Sequence, residues 1–270
     1  MPIYFVIGGM KVLVYRSRRG DPQPLFNTLQ DYFGEGKVAY IDAAGINQGE
    51  LVNREIKMLV IPGGESALFA EELKGSANRN IEKYVSLGGR LMGICAGSYY
   101  LADEFEYKGN RVKNELGLVN VFAKGVIKRF EKEGNIWSAV AQVIKAHNHE
   151  VIPSVYIAGP CFYPKGNARD IKVLANYAEM EDNAAAVIQT CHGDGQIMLI
   201  GPHLEMDEAY LRSQERSLGE RCVHPQFKHN LQELLASQHC PRLSKAFFFE
   251  LLETFTGVAP KIKKLPQPEI

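Results

Sequence analysis

The chain has no excess of charge, no long apolar run and no paired cysteines, and each lack removes a class of function. Thirty-one Lys and Arg balance thirty-one Asp and Glu across 270 residues, so no general field draws nucleic acid or anionic lipid, and neither is expected as a partner. No stretch approaches the roughly eighteen consecutive apolar residues of a membrane helix. Residues 1–9 are apolar but lack the basic start and small-residue cleavage site of a signal peptide. They are expected to form an extension ahead of the fold, and the protein is expected to be soluble and cytoplasmic. The five cysteines (Cys95, Cys161, Cys191, Cys222, Cys240) are odd in number, scattered and without a C-x-x-C. That pattern points to a reducing compartment and away from a disulfide framework. Cys191-His192, Cys222 with His224, and His239-Cys240 have no zinc-ligand spacing, so no metal and no cofactor is expected. There is no internal repeat.

What is present is enough apolar material for a full core, 46% of 270 residues, and an alternation of strand-like and helix-like stretches. Strands are predicted at 12–15, 37–41, 57–61 and 90–94, the third a continuous apolar run of the kind a strand covered on both faces shows. Between them, 24–33 and 78–87 carry apolar residues at helical spacing. This alternation predicts right-handed βαβ units and an α/β fold, a doubly wound, mostly parallel sheet. Beyond Cys95 the pattern changes to a β-rich excursion over 101–152, with further strands at 155–157, 173–177, 185–190 and 196–200. The turn His192-Gly193-Asp194-Gly195 reads as a hairpin. Helices are predicted at 211–235 and 244–254, giving three parts: 1–9, an α/β domain over 10–207, and a helical region over 208–270 that packs on it and ends in a frayed tail.

In Gly93-Ile94-Cys95-Ala96-Gly97 a strand ends on a cysteine between two glycines. A sharp strand-to-helix turn exposes the turn residue above the sheet and needs small neighbours, as in the G-x-S-x-G nucleophile elbow. A thiol at a helix start has its thiolate favoured. Cys95 is therefore the candidate nucleophile; the bland alternative is a buried cysteine packed as a small hydrophobe. Burial is expected to leave the other four cysteines inert. After the last strand, Pro202-His203-Leu204-Glu205 places an imidazole and a carboxylate two residues apart, on one side of an extended segment. A thiol attacking an amide needs a base, and that base needs a group to fix its tautomer. Cys95, His203 and Glu205 fill the three roles, although an H-x-E by itself is commonplace. Backbone amides at Gly63, Gly64 and Ala96 are candidate oxyanion donors, while a Pro62-Gly63-Gly64 turn also serves as plain loop chemistry.

Three pieces in this order, Ile61-Pro62-Gly63-Gly64-Glu65-Ser66, Gly93 to Gly97 and His203-Leu204-Glu205, resemble the class I glutamine amidotransferases, whose triad is Cys, His, Glu. Gly88 to Tyr100, Glu115-Leu116-Gly117 and Val155 to Phe162 are closer still to the amidotransferase-like N-terminal domain of biotin-protein ligases, also found free-standing in bacteria. The resemblance runs over about 10–207. It implies a flavodoxin-like sheet, a Cys95-His203-Glu205 triad, glutamine as default amide donor, a role for Gly64, Glu65 and Ser66 in holding it, and a synthetase or ligase partner in trans. Two departures stand out. Tyr99 occupies the place where typical glutaminases carry Gln, and Gly159-Pro160 replaces consecutive glycines, removing an amide donor. No biotin-binding Gly-Arg-Gly and no ligase core is present, so biotinylation is not expected. Besides a thiol amidohydrolase, two readings stay open: a non-catalytic ligand-binding or regulatory module, and a stress-type protein with a reactive cysteine.

Overall fold

The computed structural model describes residues 11–20, 22–52, 55–130, 139–166, 170–180, 182, 184–219, 229, 232–233, 235–236 and 240–261. The extension expected at 1–9, residues 131–138 of the β-rich excursion predicted over 101–152, Cys222, most of residues 220–235 of the helix predicted over 211–235 and the tail beyond 261 lie outside the described residues.

In chain order the strands are β1 (Lys11–Tyr15), β2 (Val38–Ile41), β3 (Ile56–Ile61), β4 (Arg90–Ile94), β5 (Ala102–Tyr107), β6 (Asn110–Lys113), β7 (Val119–Gly125), β8 (Ala139–Lys145), β9 (Val151–Tyr156), β10 (Cys161–Pro164), β11 (Lys172–Tyr177), β12 (Ala185–His192) and β13 (Gly195–Ile200). The helices are α1 (Gln23–Phe33), α2 (Ala43–Asn47), α3 (Ser66–Glu72), α4 (Ser76–Ser86), α5 (Ala96–Leu101), α6 (Glu208–Gly219) and α7 (Cys240–Thr256). The sheet is mixed. Its parallel half runs β2-β1-β3-β4-β13, and from β13 it continues through β12, β10, β7, β5 and β6, with β11, β8 and β9 branching off β12. The hairpin predicted at 192–195 joins β12 to β13 in antiparallel pairing.

The strands of the parallel half read as unbroken apolar runs because both faces are covered. Side chains alternate between them. Val12, Val14, Met58, Val60, Met92, Ile94, Met198 and Ile200 pack with Leu25 and Leu29 of α1 and with Phe247, Phe248, Leu251, Leu252 and Phe255 of α7. Leu13, Leu59, Ile61, Leu91, Ile197 and Leu199 face the other way, onto Ile46, Phe69, Leu73, Ile81 and Val85 of the helical layer opposite. The C-terminal helix is thus part of the core. The Arg90 guanidinium, at the start of β4, donates to the Phe255 carbonyl at 2.6 Å, and Lys145, itself buried, pairs with Glu250 of α7 at 2.6 Å. Replacing the fully buried Phe248 by Ala is expected to cost about 3–5 kcal/mol of stability, read as a fall in the urea midpoint with the m-value kept.

Register sets the site. Ile61 lies level with Gly93, and Ile200 with Ile94. The carboxyl ends of β3, β4 and β13 therefore share one rim, where open α/β sheets place their ligands. Residues 62–66, Cys95 and 201–205 leave the sheet there. Among the described residues no helix is long and apolar enough to cross a membrane.

Candidate active site

Cys95 sits on the turn between β4 and α5 with φ 49° and ψ −106°, a region that non-glycine residues occupy only when their surroundings enforce it. Three tethers do so. Its N–H donates to Ile200 O at 2.9 Å, the Gly97 N–H donates to Pro62 O at 3.0 Å, and the Ser98 hydroxyl lies 2.8 Å from the carbonyls of both Gly93 and Ile200. The elbow also depends on close approach: a Cβ on Gly97 would fall 2.1 Å from Ile61 O, so β3 and the start of α5 meet backbone to backbone.

From β13 the chain passes through Gly201 to His203, whose N–H donates to Val155 O at 2.7 Å. The His203 ring donates from Nδ1 to Glu205 Oε1 at 2.7 Å, which leaves Nε2 free of that partner, and the Cys95 sulfur lies close enough to the ring to act on its charge. The three side chains are 7%, 5% and 3% exposed. Burial works against a charge on the ring, but the Glu205 carboxylate and the Cys95 sulfur outweigh it and hold His203 well above the usual imidazole range. Glu205 is fixed from behind, its backbone carbonyl accepting the Thr28 hydroxyl at 2.9 Å. The neighbouring Leu204 carbonyl accepts the Ser244 hydroxyl of α7 at 3.3 Å. Glu205 Oε2 has no hydrogen-bond partner among the described residues.

Of the residues singled out in the sequence, Cys95, His203 and Glu205 come together, and Gly63 joins them: a Cβ there would lie 2.6 Å from His203 Cε1. Ala96 is buried beside Cys95. Gly64 and Glu65 are exposed and Ser66 is half-buried at the start of α3, where Glu65 makes no side-chain cap. Burial of the remaining cysteines holds for Cys161, whose thiol is pushed up to about 11 by desolvation. It fails for Cys191, which is exposed because β12 reaches its end there, beside the hairpin turn. The side chain of Cys240, like Cys222, lies outside the described residues.

The segment 157–160 is the part that motif reading did not weigh fully. It crosses over Cys95, and the thiol donates to Ile157 O at 3.3 Å. Its sequence signals, the resemblance over Val155 to Phe162 and the Ala158-Gly159-Pro160 turn chemistry, do not say what the turn covers.

A sequence model of the family described as biotin-protein ligase, N terminal, matches residues 10–242, past the boundary at 207 expected from the motifs. An uncharacterized protein of Chlamydia muridarum is 25% identical over 224 residues, covering 77% of this chain and 85% of its own. The biotin–protein ligase of Schizosaccharomyces pombe is 24% identical over 213 residues, or 73% of this chain, which spans only 33% of the ligase's length. Among solved structures, a glutamine amidotransferase of Thermotoga maritima aligns with a TM-score of 0.55 at 16% identity, over 93% of this chain and 100% of that one, a likeness of fold. Since the family match takes in most of its residues, the chain belongs to the biotin-protein ligase N-terminal family, on a glutamine amidotransferase-like fold.

Proposed function

We propose that this protein is a thiol amidohydrolase of the amidotransferase type, acting on a carboxamide with glutamine as the default donor. The observation that supports it most is the buried His203–Glu205 pair, 2.7 Å apart, on the rim where the Cys95 turn leaves the sheet, with the sulfur near enough to raise the ring's affinity for a proton. In this reading His203, whose raised affinity for a proton favours the charged ring, takes the Cys95 proton first, and the sulfur bonds to the amide carbon as a thiolate. The carbonyl oxygen becomes an oxyanion, held by the N–H groups of Ala96 and of Gly63 or Gly64. Collapse breaks the C–N bond, and the proton on Nε2 goes to the nitrogen, which leaves as ammonia. Water then attacks the thioester while His203 takes its proton, and the C–S bond breaks to return the thiol and release the acid. Glu205 holds the ring tautomer throughout. The ammonia would pass to a synthetase or ligase partner supplied in trans.

The test is ammonia release from glutamine and short primary amides, together with labelling by a glutamine-like chloroketone. Cys95 is expected to take the label, Cys161 to stay unmodified at pH 8 because its thiol remains protonated, and exposed Cys191 to react only with small general reagents such as iodoacetamide. No amide turned over in a Cys95-dependent way, and a label found elsewhere, would overturn the reading.

A further inference from the structure

Four consecutive carbonyls, those of residues 157 to 160, each accept a hydrogen from a different side chain. The Cys95 thiol is 3.3 Å from Ile157 O. The Tyr99 hydroxyl donates to Ala158 O at 2.9 Å, the Tyr156 hydroxyl to Gly159 O at 2.9 Å, and the Tyr177 hydroxyl to Pro160 O at 3.1 Å. Burial raises all three phenols well above their ordinary range, so each remains a donor at any working pH. Backbone contact locks the strap further: a Cβ on Gly159 would fall 2.0 Å from Gly201 O, two residues before His203. Ala158 is held at φ 54°, a conformation that this network enforces.

From this arrangement we infer that the Ile157 carbonyl is the acceptor for the N–H of the substrate's leaving group, which makes the site selective for primary carboxamides over esters and acids. The inference rests on the hydrolytic reading above. When the thiol is protonated, Ile157 O receives the S–H. When that proton moves to His203 the carbonyl still faces the sulfur and has lost its donor, and with its three successors pinned by tyrosines it has no freedom to turn away. A fixed buried acceptor without a partner is unfavourable, and a site built around an N–H rejects an analogue that lacks one. A carboxamide nitrogen arriving next to the sulfur supplies the missing hydrogen. The same contact has a stereochemical use. As the amide carbon becomes tetrahedral its nitrogen turns pyramidal, and with one N–H held by Ile157 O the new lone pair is directed to His203 Nε2, where the proton waits. Tyr99, Tyr156 and Tyr177 are positioning residues that touch no substrate.

The experiment compares kcat/KM for a primary amide and for the methyl ester of the same acid in the wild type and in Tyr99→Phe and Tyr156→Phe, which keep the rings and lose the hydroxyls. The amide-to-ester ratio is expected to fall about ten-fold in each variant. A parallel fall of both substrates, or an unchanged ratio, overturns the inference. A second arm needs no turnover: the rates at which chloroacetamide and N,N-dimethylchloroacetamide alkylate Cys95, each divided by the rate with a free thiol. The wild type is expected to favour the N–H-bearing reagent about ten-fold on that scale, and equal normalised rates overturn the inference without any variant having to fold. Failure of all amide turnover with this preference intact would count against the hydrolytic reading alone.

Discussion

Cys95→Ala is expected to lower ammonia release by at least about 10³-fold while leaving the fold in place. Removing the nucleophile of a comparable serine triad costs up to about 10⁶ in kcat, and the residue left behind is only what the oxyanion donors and binding supply. The measurement is coupled ammonia detection across pH 6–9, with thermal unfolding followed in parallel. Loss of activity without loss of structure identifies the sulfur as the reacting atom. A companion variant separates chemistry from strain. Cys95 holds φ 49° only because Ile200 O, Pro62 O and Ser98 tie it there, so Cys95→Gly is expected to be more stable than Cys95→Ala by about 1 kcal/mol, equally inactive, and distinguishable by its denaturation midpoint.

The second large effect is expected from Gly63→Ala, at a residue with no side chain to contribute. The added methyl would stand 2.6 Å from His203 Cε1, well inside contact distance, and the ring has little room to yield. Its Nδ1 is tied to Glu205 at 2.7 Å and its backbone to Val155 at 2.7 Å. A shift of about 1 Å in a catalytic group typically costs about 10²-fold in rate, so kcat is expected to fall by that order. KM is expected to change little, because Gly63 acts through His203 and the oxyanion amide. If the variant keeps wild-type kcat, His203 is not the proton carrier.

The half of the molecule that carries these residues was the legible half. Strands such as Leu91-Met92 and Met198-Leu199 are apolar on both sides because α1 and α7 cover one face and the opposite helical layer the other, and this leaves an unbroken apolar run at the sequence level. The elbow glycines and the His-x-Glu spacing were legible for the same kind of local reason. β5 was not: Asp103 and Glu104 interrupt it and it follows α5 without a loop. β10 has four residues, two of them aromatic and one proline, too short for a period. The strap escaped because its meaning is carried by Tyr99, Tyr156 and Tyr177, which come from α5, β9 and β11 and share nothing in sequence. Cys191 shows the opposite error, a residue on an apolar-looking strand whose side chain emerges into solvent. That the helical region over 208–270 packs on the α/β domain was expected; which face of the sheet α7 covers was not legible, since an apolar stripe specifies that a helix is covered and not by what.

Helix α7 reaches both ends of the chemistry, taking Arg90 of the nucleophile's strand at Phe255 and steadying the His203 segment through Ser244. During synthesis this has a temporal meaning. A chain still on the ribosome has already made Cys95, His203 and Glu205, yet the sheet face shared by α1 and α7 is only partly covered until residues 240–256 emerge and dock. The candidate site is therefore expected to reach its final setting only after that helix docks.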